Sequence, residues 1–142
     1  MEVLSQLAFV ENFSPNDEVV INEEGYIQRL SAAFINDPHS ENIEKIAAFL
    51  PHDVLTISMT ISPETAILRA KGRKKGIPKA VKGSTETETL TNMHQFDQVL
   101  QKVTKVQLAK GCAVLVVDGE SPNALDESVE WLRQRLTSTS KT

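Results

Sequence analysis

Three short stretches hold most of the residues that could do chemistry. In "INEEGYIQR" the carboxylates of Glu23 and Glu24 precede Gln28 and Arg29. A carboxylate at a strand end can hold a magnesium ion through water, or accept hydrogen bonds from a substrate hydroxyl or amine. Arg29, one turn further on, can reach an anion. The plainer account is a helix start whose acids complement its N-terminal dipole. In the second stretch seven cations crowd together: Arg69, Lys71, Arg73, Lys74, Lys75, Lys79 and Lys82, with no acid from Thr65 through Thr85. Like charges repel unless an anion joins them. Arginine makes forked contacts to phosphate and lysine adds point charge, so the stretch reads as a lid over a polyphosphate or as a solvated loop. A nucleic-acid patch is the weaker account, because no aromatic is interleaved for base stacking. The third stretch is "VVDGESP". Asp118 and Gly119 there could turn the chain or cap a helix, and a flat ligand ring could lie against the backbone. Turn chemistry alone explains the motif more simply.

Several other chemistries are excluded. His39, His52 and His94 are scattered without metal-ligand spacing and read as surface or turn residues. The single cysteine, Cys112, lies inside "GCAVLVV" and reads as buried and inert. It permits no internal disulfide and no cysteine-rich zinc site. The formal charge of -4 opposes a general nucleic-acid coat while allowing a local basic site. No stretch approaches the apolar length of a membrane span, and the N-terminus lacks the basic start of a signal peptide. The expected setting is reducing, soluble and cytoplasmic.

The elements that must position these residues follow from periodicity. The chain has 142 residues and 40% apolar content, enough for one core built mostly of Leu, Ile, Val and Ala. The spacing predicts a helix over 3–11 that begins abruptly at Met1, which favours a truncated or split product, then a short strand in "EVVIN". Helices follow from Gly25 to Phe34 and around Ile43–Leu50. "DVLTISMTI" suits an interior strand with both faces mainly covered. Ser62, Pro63 and Glu64 start the next helix. A mobile, lid-like excursion spans 71–91. Met93, Phe96, Leu100, Val103 and Val106 mark a helix stopped by Gly111. "CAVLVVD" is the most apolar strand. Leu125, Val129, Leu132 and Leu136 are the stripe of a last helix, with Trp131 at its edge. Strands alternating with helices imply a single α/β domain over 1–142, a parallel sheet with helices on both faces. Three strands alone would be marginal.

Together these pieces resemble the C-terminal portion of a small P-loop kinase, of the nucleoside and nucleoside-monophosphate kinase kind. "VVINEEGYIQR" resembles the segment in which an acid and an arginine face the metal and the phosphoryl acceptor. "LTISMTISPETAILRAKGR" resembles the strand, turn and helix leading into the arginine-bearing lid, and "VLVVDGESP" the final strand and adenine-side loop. The resemblance implies an incomplete three-layer α/β/α fold and phosphoryl transfer from ATP with Mg2+. Arg69, Arg73 and Glu23 would be catalytic, Glu23 also serving the metal. Glu24, Gln28 and Arg29 would hold the acceptor. Gly119, Glu120, Ser121 and Pro122 would line the base, largely through backbone. The phosphate loop itself, Gly-x-x-x-x-Gly-Lys-Ser/Thr, occurs nowhere in the chain. "GRKKGIPK" has its glycines and lysines in the wrong order and follows a helix.

That absence leaves three functions open. The chain could be the acceptor-and-lid portion of a kinase, with nucleotide and small-molecule ligands and a companion segment or chain, or a homo-oligomer, supplying the cradle. It could be a non-catalytic α/β binding or interaction module. It could bind anions or nucleic acid through the basic 69–82 segment.

Overall fold

The computed structural model describes residues 26–50 and 54–139. The expected helix over 3–11, the strand in "EVVIN", and Glu23, Glu24 and His52 lie outside the described residues. The fold is α/β. Its elements are α1 (Tyr26–Ala33), α2 (Asn42–Ala47), β1 (Thr56–Thr60), α3 (Pro63–Lys71), α4 (Glu86–Ala109), β2 (Val114–Asp118) and α5 (Ala124–Thr139). β1 and β2 pair in parallel, from Thr56 beside Val114 to Thr60 beside Asp118. Among the described residues the sheet has these two strands.

Local chemistry sets the helix ends. Ser62 caps α3, its Oγ accepting from the Thr65 N–H at 3.4 Å, and Pro63 occupies the first turn where no N–H is needed. Thr85 caps α4 by accepting from the Glu88 N–H at 3.1 Å, and the Glu88 carboxylate accepts from the Ser84 N–H at 2.7 Å. This reciprocal cap resembles a capping box. It starts α4 at Glu86, seven residues before Met93, so the irregular stretch expected over 71–91 runs only over 72–85. At the other end Gly111 takes φ +77°, a left-handed stop that only glycine adopts without strain.

The core lies among helices. Ile27 of α1, Ile43 and Ala47 of α2, and Val99 and Val103 of α4 form one buried cluster, flanked by Leu30, Phe34, Leu50, Val54, Leu100 and Val106. α4 also secures the exposed end of α2. Gln107, fully buried, donates from Nε2 to the Ala47 carbonyl at 2.9 Å. Lys110 donates to the carbonyls of Ala48 and Leu50. The orphan carbonyls at the end of a short helix are thereby satisfied. Ser58 on β1 and Thr104 on α4 share a buried hydroxyl contact at 3.3 Å, which ties the sheet to the same helix.

Two expectations about burial are corrected. β1 is not covered on both faces: Met59 is 53% exposed, and on β2 Val116, which pairs with Ser58, is 47% exposed. The two strands among the described residues are too narrow for the helices to enclose. In α5 Ala124 is buried and Ser128, Trp131 and Leu132 are half-buried, while Leu125, Val129 and Leu136 of the stripe expected to pack stand outward, with Leu125 73% exposed. Trp131 is half-buried at the helix edge as expected, with the Arg135 guanidinium 5.7 Å from its ring centre. Cys112 is buried, and His39 and His94 are exposed. No helix among the described residues is long and apolar enough to cross a membrane.

Replacing Ile43 with alanine removes a side chain with no exposed surface from the helical core. The expected loss is about 2–5 kcal/mol in chemical denaturation. Leu68→Ala, at a 72% exposed position, is expected to stay within about 0.5 kcal/mol.

Candidate functional site

The carboxyl ends of β1 and β2 carry two loops side by side, the Ser62–Pro63 turn and Asp118–Pro122. Ligands in open parallel sheets collect at this end. The Gly119 N–H extends the ladder one step beyond β2 by donating to the Thr60 carbonyl at 2.7 Å. A Cβ on Gly119 would lie 2.7 Å from Met59 Cγ and 3.0 Å from the Thr60 carbonyl oxygen. Glycine is therefore required by close approach of the two strands.

Arg69 spans the site. It lies in the last turn of α3 and donates from a terminal guanidinium nitrogen to the Gly119 carbonyl at 3.2 Å. Beside it, Ser62 Oγ is 3.3 Å from the Glu120 carboxylate and 2.7 Å from the Thr65 hydroxyl. Each hydroxyl brings one proton, and both can be directed at Glu120. The Thr65 hydroxyl does most to hold the Glu120 carboxyl below its ordinary 4.5; desolvation opposes it, and hydrogen bonds from Ser62 and the charge of Arg69 reinforce it. Arg69, Gly119 and Glu120, singled out separately in the sequence, thus meet in one place. Ser62 and Thr65 complete the cluster, though the sequence signals them only as a helix cap.

The backbone N–H groups of the loop beyond β2 are already used. Glu120 N–H donates to Asp118 Oδ1 at 2.9 Å, and Ser121 N–H to the Asp118 carbonyl at 3.0 Å. Ser121 accepts in turn from the N–H groups of Asn123 and Ala124. Pro122 has no N–H. With its backbone N–H groups used, Gly119–Pro122 offers carbonyl oxygens, the Glu120 carboxylate and the Ser121 hydroxyl, a set rich in acceptors that suits amine donors.

The basic segment is pinned at both ends and open between them. Lys71 pairs with Glu86, whose carboxyl is held below 4.5 chiefly by that hydrogen bond. Val81 is buried, and its carbonyl accepts from Asn92 Nδ2 at 3.3 Å. Gly83 N–H donates to Thr89 Oγ1 at 3.0 Å. Under this strap is a cavity of about 220 Å³ reached by Ile67, Ile77 and Lys82. Arg73, Lys74, Lys75 and Lys79 are exposed and have no ion-pair partner among the described residues. Gln28 is exposed and Arg29 half-buried on α1, the helix packed on α4. Among the described residues, no group of three or more His, Cys, Asp or Glu could hold a metal ion.

No protein-family model, curated protein or solved structure matches this chain.

Gly119→Ala is expected to destabilise the chain by about 1–3 kcal/mol through overpacking. Met59→Ala should restore only part of that, because the Thr60 carbonyl stays where it is. A second outcome concerns acid. A carboxyl whose folded pKa is depressed contributes stability that is complete above its unfolded value and disappears as pH falls through the folded one. For Glu120 that window opens at about 4.5 and extends downward. Denaturation midpoints should therefore fall less steeply below that pH in Glu120→Gln than in the native chain.

Proposed function

We propose that this chain is the acceptor-and-lid portion of a P-loop kinase that transfers a phosphoryl group from ATP to a small molecule or nucleotide. The phosphate cradle would come from a segment other than these 142 residues. In this reading β1 and β2 are neighbouring strands of a larger parallel sheet with helices on both faces. The observation that carries it is the contact of Arg69 with the Gly119 carbonyl. That contact brings the arginine-bearing helix and the loop after the last strand together at the ligand end of the sheet.

The residues present suit the phosphate end of a nucleotide. Arg69 uses one of its guanidinium N–H groups on Gly119 and keeps the rest for an anion. Arg73, Lys74 and Lys75 stand exposed on the following segment. Phosphoryl transfer consists almost entirely of positioning and charge neutralisation, so cations on a hinged segment are the chemistry this portion would contribute. The acceptor-rich loop at Gly119–Pro122 would receive an exocyclic amine of the base. A bound magnesium ion would supply neutralisation of the charge that develops on the phosphates. Glu23 would be its protein ligand. Glu24, Gln28 and Arg29 would hold the acceptor.

Calorimetric titration with ATP tests this reading. Charge-assisted hydrogen bonds contribute enough that Arg69→Ala with Arg73→Ala should weaken binding by about tenfold or more. Neutralising Lys74, Lys75 and Lys79 together should cost less. The opposite ranking, with equal affinity for inorganic tripolyphosphate, would replace this reading with a plain polyanion binder. A native chain that takes no ATP even when a phosphate-loop segment is supplied in trans would leave the non-catalytic module.

A further inference from the structure

We infer that the outward face of α5 is a self-association surface on which a second copy of this chain packs antiparallel. Leu125, Val129, Leu132 and Leu136 recur at intervals of four, three and four residues, the spacing of a helix–helix seam. Among the described residues the helix seats only Leu132 of this row, which is half-buried. Leu125 is 73%, Val129 44% and Leu136 41% exposed, while α5 is otherwise seated through Ala124, Ser128 and Trp131. An apolar row on an otherwise polar helix marks an interaction site rather than scattered surface leucines.

The identity and direction of the partner follow from symmetry and charge. A two-fold axis passing midway between Val129 and Leu132 sets Leu125 against the second copy's Leu136, and Val129 against its Leu132. The seam therefore matches itself, as a two-fold interface requires. Charge is sorted along the same helix. Asp126, Glu127 and Glu130 occupy its first half, and Arg133 and Arg135 its second. Antiparallel packing brings the acidic half of each copy to the basic half of the other, and it also opposes the helix dipoles favourably. Asp126 and Arg133 border the same side of the seam, seven residues apart, so each would approach the other across the axis, twice per dimer. Parallel packing would gather like charges at both ends. The seam is only about three turns long, which places the interface among the small, weak ones and makes the dimer concentration-dependent.

Sedimentation velocity of the full chain over a wide concentration range reads this directly. The native protein should pass from one to two copies as concentration rises. Leu125→Asp and Val129→Asp, both at exposed positions, should keep it single throughout while leaving the thermal transition of the dilute protein unchanged. Asp126→Arg and Arg133→Asp should each weaken the dimer, and the two together should restore it. A native chain that stays single at every concentration overturns the proposal, as does a dimer indifferent to Leu125→Asp and Val129→Asp. Weakening by both single reversals without restoration in the pair overturns the antiparallel arrangement.

Discussion

Val99 and Val103 are sealed between Ile27 of α1 and the Ile43–Ala47 face of α2, and both valines sit on the 24-residue helix α4. Apolar burial here does more than hold three helices together. It fixes α4 as the rod from which the neighbouring elements take their place. α3 packs along its first turns, and β1 is tied to it through Ser58 and Thr104. The carbonyls ending α2 are satisfied by its Gln107 and Lys110. Close-packed contacts of this kind tolerate little displacement, so an element tied to α4 inherits its position.

That rod has consequences at the ligand end of the sheet. α4 closes the basic segment from behind: Glu86 holds Lys71, Asn92 holds Val81 and Thr89 holds Gly83. The cations between those anchors stay in water, and α3 is left with Arg69 directed across the strand ends. Parallel pairing then brings Gly119 against Met59 and Thr60 so closely that no side chain fits. The Arg69–Gly119 contact and the hydroxyls around Glu120 exist because two loops 58 residues apart in sequence are set at one edge.

The two ends of the sequence of elements behave differently. α1 and α2 are bound into the helical core, whereas α5 rests on β2 through small and half-buried residues. The two strands among the described residues offer α5 little surface to cover. Leu125, Val129 and Leu136 are consequently directed outward, and the helix presents to solvent the kind of seam that helices ordinarily use against one another.

Among the described residues, the sequence by itself determined which segments are helix and strand, the first turns of α4 apart, because apolar spacing and capping chemistry are local. Ser62–Pro63–Glu64 marks the start of α3 and Gly111 the end of α4, as read from residue type. The parallel α/β order follows from the alternation of elements. The true start of α4 was also written there, in Thr85 and Glu88, but the run of Thr and Glu that contains them has no apolar period and reads as loop. Tertiary structure alone decided the rest. Which face of α5 turns inward depends on the width of the sheet beneath it, and one helix carries two plausible faces, around Trp131 and around Leu125. Exposure of Met59 and Val116 has the same cause. The meeting of Arg69 with Gly119, and of Glu120 with Ser62 and Thr65, rests on strand register, which no local pattern encodes across so many residues. Fit at a distance is a property of the packed chain, and periodicity reports only what each element can do alone.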